Sequence, residues 1–318
     1  MRYRAFLLVV LLAILVGAST SSPQMAIIVL GNWTRSALPL VPLALAAALI
    51  ISCGQIDIAS GAAFSFVGMI IIALTEQQRS GTSSILGLVA AWLAVVLFYL
   101  IMYFLIVLGR VPALLCTLGM ALCGESISLQ LQAYITRRAL NAGPITGVAG
   151  MTISPNNLSF FSWNIAFVFP VVGLLVLWRY LSNAGLDHIA VGIDPTASRI
   201  SGVNTNLVYL RAFLFSGVLV GLSAVLFLVN VQLGGWATNM GWGKELFAIA
   251  AAVIGGCRIT GGRFDPVCVA LATVLVFGIT DITNALNVPL EWDYLIVGTG
   301  VVAVGLIDGV HLKTAART

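Results

Sequence analysis

The sequence predicts an all-α, polytopic membrane protein of about ten transmembrane helices, some short or broken, and three observations predict it. First, 60% of the 318 residues are apolar and only 8% are charged, with a mean hydropathy of +1.08. Soluble proteins carry roughly a quarter charged residues, so this chain has too few to cover a water-facing surface. Second, the apolar residues gather in long runs such as Ile85–Leu108 and Ala212–Val231, enough for roughly eight to ten spans of ~20 residues. Third, those runs are apolar on every face. Strands of a membrane barrel alternate apolar and polar residues, whereas helices satisfy their own backbone inside lipid. Soluble enzymes, nucleic-acid binders and disordered tails are excluded. The surroundings are a lipid bilayer, with no nucleic acid as partner.

The first candidate span is Ala5–Ala18. Arg2 and Arg4 before it and Gly17-Ala18-Ser19 after it also fit a signal peptide. A retained span is the expectation, and Met25–Leu30 offers it a continuation as a broken helix. Then follow Ala37–Cys53, Ile56–Leu74, Ile85–Leu108, Val111–Leu131, Trp163–Trp178, Ala212–Val231, Leu246–Gly255, Val267–Ile282 and Tyr294–Ile307. The first, sixth and eighth are short for a crossing. The whole of residues 1–318 reads as one transmembrane domain, with a polar outer loop at 132–157 and a polar inner loop at 182–206.

Orientation follows from Lys and Arg, which gather in cytoplasmic loops. With the N-terminus inside and ten alternating spans, the inner side holds Arg2, Arg4, Arg110, Arg179, Arg199, Arg211, Arg258, Arg263, Lys313 and Arg317. The outer side holds Arg35, Arg79, Arg137, Arg138 and Lys244. This bias predicts that both termini are cytoplasmic.

The inner loop has its own signals. Asp194 suits an N-cap, Pro195 the first helical position and Gly202 the C-terminal stop. About two turns fit between them, through Ala197, Ser198 and Arg199, with Ala197 and Ile200 on one face. So short a helix is marginal alone, so it must rest on the membrane surface or in a groove of a cytoplasmic partner.

Gly255, Gly256, Gly261 and Gly262 close the shortest apolar segment, and a glycine-interrupted short segment points to a broken helix lining a cavity. Between the second and third spans, Asp57 lies in a polar interruption that includes Gln55 and Ser60. An acidic residue between apolar runs is costly unless capped, paired or hydrated, so Asp57 is either the N-cap of the third span or a solute contact. Glu125 should face a cavity or a partner helix for the same reason. Gly217/Gly221 and Gly305/Gly309 have the spacing of close helix contact, a frequent coincidence in a chain with 32 glycines.

Chemistry is poorly provided for. Cys53, Cys116, Cys123, Cys257 and Cys268 form no CxxC pair and read as small apolar side chains; no disulfide or metal site is indicated. His188 and His311 fall in polar flanks. A Walker loop needs Gly-Lys-Ser/Thr, but Gly243-Lys244 is followed by Glu245, so the chain has no recognisable ATPase site. H-E-x-x-H and G-x-S-x-G are also absent.

From Ala37 to Asp308 the chain resembles the permease subunits of bacterial ATP-binding-cassette (ABC) importers for sugars, the ribose, xylose and galactofuranose branch. That family has Gly-Gly-Ile-Asp-Leu-Ser-x-Gly after its second span, matched by Gly54-Gln-Ile-Asp-Ile-Ala-Ser-Gly61. Thr117-Leu-Gly-Met120 matches the start of its fifth span. Ala190-Val-Gly192, Ala197 and Gly202-Val-Asn204 match its cytoplasmic loop, and Leu246-Phe-Ala-Ile-Ala-Ala-Ala-Val-Ile-Gly-Gly-Cys-Arg-Ile-Thr-Gly-Gly262 its longest motif. Gln55, Ala59 and Phe247 replace a glycine, a serine and an aspartate of the pattern, and Thr196-Ala197-Ser198 a Glu-Ala-Ala. Those departures leave the family's substrate contacts untransferred.

The resemblance implies a pore subunit in the bacterial inner membrane, paired with a second copy or a paralogue. A periplasmic binding protein would deliver the sugar. A cytoplasmic ABC ATPase would hold ATP and Mg, with no cofactor on this chain. Pro195–Ser201 would be the coupling helix. The segments around Asp57, Thr117, Asn230 and Gly255–Gly262 would line or gate the path. The competing expectation is a secondary transporter using Asp57 or Glu125 as a proton site. An intramembrane enzyme lacks any catalytic constellation.

Overall fold

A computed structural model describes residues 2–19, 23–75, 81–142, 163–231, 238–289 and 291–315. Among the described residues every regular element is helical: α1 (Arg2–Ser19), α2 (Pro23–Ser36), α3 (Val41–Ser52), α4 (Ser60–Thr75), α5 (Gly81–Tyr103), α6 (Ala113–Ala142), α7 (Trp163–Leu181), α8 (Asn183–Ile193), α9 (Pro195–Ile200), α10 (Thr205–Val231), α11 (Lys244–Ile254), α12 (Pro266–Ala285) and α13 (Glu291–Ala315). A 3-10 turn at Leu38–Leu40 joins α2 to α3, and a π-helical turn at Phe104–Leu108 ends α5.

The core forms around α3, whose twelve residues are all buried. Its sequence is apolar all round, which suits a helix enclosed on every side, and its alanines let α10, α11 and α12 approach. α10 also lies against α5. That approach uses Gly217 and Gly221, where an added Cβ would meet Tyr99 and Trp92. Gly305 of the second pair has open space around it among the described residues. α1 packs through Leu8 on Cys268, Ala272 and Leu275 of α12. Leucines of α5, among them Leu93 and Leu97, stay exposed, as a lipid-facing surface requires.

Among the described residues six stretches are long and apolar enough to cross a membrane: Val29–Ser52, Gly87–Leu108, Ala113–Arg137, Asn164–Leu181, Thr205–Leu228 and Pro266–Asn284. Leu7–Gly17 and Ser60–Leu74 are shorter apolar helices. The chain is thus multi-pass, and two boundaries differ from the sequence expectation. Met25–Leu30 belongs to α2, which leads into α3 instead of prolonging α1. α6 continues through residues 132–142, less than half of the outer loop, because Arg137 is as good a helix former as the residues before it; the rest of that loop lies outside the described residues. The eighth expected span, α11, is as short as its apolar run, with 11 residues. At 1.5 Å per residue it extends about 16 Å, roughly half the hydrocarbon thickness. It begins after Gly243 and stops at Gly255.

Candidate functional site

Residues 53–59 interrupt the helical order between α3 and α4. The interruption begins at Gly54, whose φ of 76° ends α3. Asp57 closes it: its Oδ1 accepts the Ala59 N–H at 2.8 Å and its Oδ2 accepts the Tyr99 hydroxyl of α5 at 2.7 Å. The carboxylate is 1% exposed and satisfies the start of α4 as a cap. The two alternatives for Asp57 are thereby weighted toward the cap. Ser60 opens α4 fully buried, and its Oγ has no hydrogen-bond partner among the described residues. Thr117 of α6 reaches the same segment, donating at 3.5 Å to the Ile56 carbonyl. Gln55 meets the hydroxyl of Tyr209 from α10.

This segment runs alongside α11 and touches the chain at both of its ends. At one end a Cβ on Gly261 would lie 2.9 Å from the Gly54 nitrogen and would overlap the Gly192 carbonyl. Gly256, Gly261 and Gly262 all have positive φ, which is why the loop after α11 needs glycine there. Gly255 instead allows α12 to approach at Val269. At the other end Gly61 and Gly241 are in backbone contact, and Gly241 donates its N–H to Ser65 Oγ at 2.7 Å. Glu245, in the first turn of α11, presses its carboxylate on Gly61. One oxygen accepts the Gly243 N–H and the other is buried without a partner among the described residues.

Sequence reasoning missed Glu245, although the cue that singled out Asp57, an acid at the head of an apolar run, applies equally to it. Glu125 is half-buried on α6 and makes none of the described contacts around Asp57. Asn230 lies near the end of α10, with its side chain outside the described residues. Among the described residues no group of three or more His, Cys, Asp or Glu comes together as a metal site would require.

The inner loop folds as two short helices sharing one residue. Ser182 caps α8 by accepting the Gly185 N–H, and Asp194 ends α8 and caps α9. Asp194 Oδ1 accepts the N–H groups of Thr196 and Ala197 at 2.8 and 3.0 Å. Pro195 takes the first position of α9, and Gly202 follows its end with φ 89°. Ser198 is buried, Ala197 and Arg199 are exposed, and Ile200 is 83% exposed.

His188, expected in a polar flank, is instead 1% exposed. Its Nε2 lies 2.7 Å from Ser52 Oγ, and its ring packs against Trp178 and Phe264. Burial pushes its pKa down from 6.5 to about 4, opposed by a hydrogen bond to the Leu49 backbone and aided by Arg179. The fold holds this imidazole neutral, while the unfolded chain protonates it below about 6.5. Its contribution is therefore complete above the unfolded value and lost as pH falls toward the folded one. Detergent-solubilised protein is expected to lose about 2 kcal/mol of stability between pH 7 and pH 5 from this group. A series of melting curves checks this against His188→Gln, which should flatten the pH dependence; an unchanged slope in the variant would refute it.

Residues 29–305 match the family described as the permease component of branched-chain amino acid transport systems. The chain belongs to this permease family. The galactofuranose transporter permease YtfT of Escherichia coli (strain K12) is 25% identical over 280 residues, covering 86% of the chain and 77% of the relative. The autoinducer 2 import system permease LsrC of Enterobacter sp. (strain 638) is 28% identical over 288 residues, covering 88% and 78%. LsrC of Salmonella typhi is 27% identical over 314 residues, covering 96% and 84%. No solved structure matches the permease significantly. The interrupted α3–α4 and α11 segments both fall within the matched region.

Proposed function

We propose that the permease is the pore subunit of an ABC importer for a sugar or a similarly small, uncharged polyhydroxylated solute. On this reading it has ten membrane passages with both termini cytoplasmic, α11 counting as a half-length passage from which the chain continues inward. It sits in a bacterial inner membrane and receives its solute from a periplasmic binding protein. A separate ATPase binds ATP and Mg. The relatives' names favour this substrate class, since one is a galactofuranose transporter permease and two belong to autoinducer 2 import systems.

The observation that carries the reading is α9. A capped helix with Ile200 exposed lies between two span-length stretches, Asn164–Leu181 and Thr205–Leu228. An apolar knob held out on a short rigid helix fits a groove on another protein. α6 supports the pairing of two permeases. It is long enough to cross a membrane, yet Ser126, Gln130, Gln132 and Thr136 are exposed along it. Polar side chains are costly against lipid, so a second copy or a paralogue covers this face, with the solute path between the two.

Two experiments test the reading. The permease reconstituted alone should neither hydrolyse ATP nor transport, and uptake should require the ATPase and the binding protein. Ala197→Arg should insert normally but lower uptake at least tenfold while hydrolysis continues. Normal uptake in that variant would refute the assignment of α9. Uptake by the lone chain under a proton gradient would establish the ion-coupled alternative instead.

A further inference from the structure

Three segments distant in sequence meet at Gly192, the penultimate residue of α8. A Cβ on Gly192 would overlap the Ser52 carbonyl and lie 2.6 Å from the Gly262 nitrogen, so the three backbones are in direct contact. Gly262 donates its N–H to the same Ser52 carbonyl at 2.8 Å. One turn earlier on α8, His188 grips Ser52 through its side chain. We propose that this junction transmits displacement of α9 to the solute pathway, with Gly192 and His188 as its positioning residues. The proposal rests on α9 being the ATPase-docking helix.

The mechanical argument has two parts. On the cytoplasmic side, α8 and α9 share Asp194, whose N–H bonds back to Ala190 while its carboxylate holds the first turn of α9. Moving α9 therefore moves α8. On the membrane side, backbone-to-backbone contact leaves no side-chain rotamer to absorb a shift, and packed interiors pass small displacements on. From Ser52 the chain leads directly into the interruption that ends at Asp57. From Gly262 it leads back through α11 to Glu245, which presses on Gly61. One junction thus reaches both partners of the interrupted segment.

The test uses the complete complex with its ATPase and binding protein in proteoliposomes, and reads ATPase association, hydrolysis and solute moved per ATP. Ile200→Asp should strip the ATPase from the permease; if the ATPase stays bound, the docking assignment fails. Gly192→Ala should keep the ATPase bound and hydrolysing while solute moved per ATP falls at least tenfold. An unchanged ratio in that variant overturns the junction's role even if docking stands, and so does loss of the ATPase from a folded Gly192→Ala permease. If Gly192→Ala does not accumulate folded, Ser52→Ala decides. It keeps the carbonyl and removes the hydroxyl that meets His188 and donates locally to the Leu49 carbonyl one turn back in α3. A ratio at least threefold lower supports the proposal, and an unchanged ratio overturns it.

Discussion

Asp57→Ala is expected to destabilise the permease by about 3 kcal/mol, whereas Asp57→Asn should cost about 1 kcal/mol or less. The alanine variant loses the cap on the first turn of α4, an effect of ~1 kcal/mol. It also strands the Tyr99 hydroxyl, which is fully buried and donates to Asp57, and an orphaned buried group costs about 1–3 kcal/mol. Asparagine is the same shape. Its oxygen can accept the Ala59 N–H, and its amide can donate to the Tyr99 oxygen if that hydroxyl turns round. Unfolding of the detergent-solubilised variants measures the difference. The pair also separates two functions. An importer driven by a partner ATPase should retain uptake in Asp57→Asn, because the residue acts as a cap. A proton-coupled transporter would lose uptake while keeping its fold. Destabilisation of similar size in the two variants would refute the cap assignment.

What could be read from the sequence was the chemistry decided by near neighbours. Long apolar runs specified helices because lipid leaves the backbone no other partner. Asp194, Pro195 and Gly202 specified α9 because capping acts within a few residues, and Asp57 announced the start of α4 for the same reason. What could not be read depends on contacts far apart in the chain. His188 is polar by type, and only the arrival of Ser52, Trp178 and Phe264 buries it. Gly217/Gly221 and Gly305/Gly309 share a spacing, but among the described residues a neighbouring helix reaches the first pair and leaves Gly305 open. The run Leu246–Gly255, by contrast, is as short in the fold as in the sequence, because the stops of α11 are local. Gly243 and the positive-φ glycines after Gly255 supply those stops. The candidate site was legible as isolated segments around Asp57, Thr117 and Gly255–Gly262. That they meet, and that Glu245 and Gly192 join them, is tertiary information.

The contact between Gly61 and Gly241 supplies the second large effect. Gly241→Val is expected to destabilise the permease by at least ~3 kcal/mol, the upper end of the cost of overpacking a filled interior. Both glycines are buried, and a Cβ on Gly241 would overlap the Gly61 carbonyl, which belongs to the first turn of α4 and has no rotamer by which to move aside. It would also lie 2.7 Å from Ser65 Oγ, the atom that accepts the Gly241 N–H. The backbones must therefore separate, and the whole head of α11 with Glu245 must move with them. Gly119→Ala is the matched control, because nothing lies within 4 Å of the added atom on α6. There alanine removes the flexibility of an unconstrained helical glycine and should stabilise by up to about 1 kcal/mol. Denaturation of the two variants beside the parent decides the matter. A Gly241→Val permease as stable as the parent would show that α4 and α11 separate freely at this point. The interrupted segment would then be anchored to α11 only at its Gly54–Gly261 end, and Glu245 would lose its claim to a part in the site.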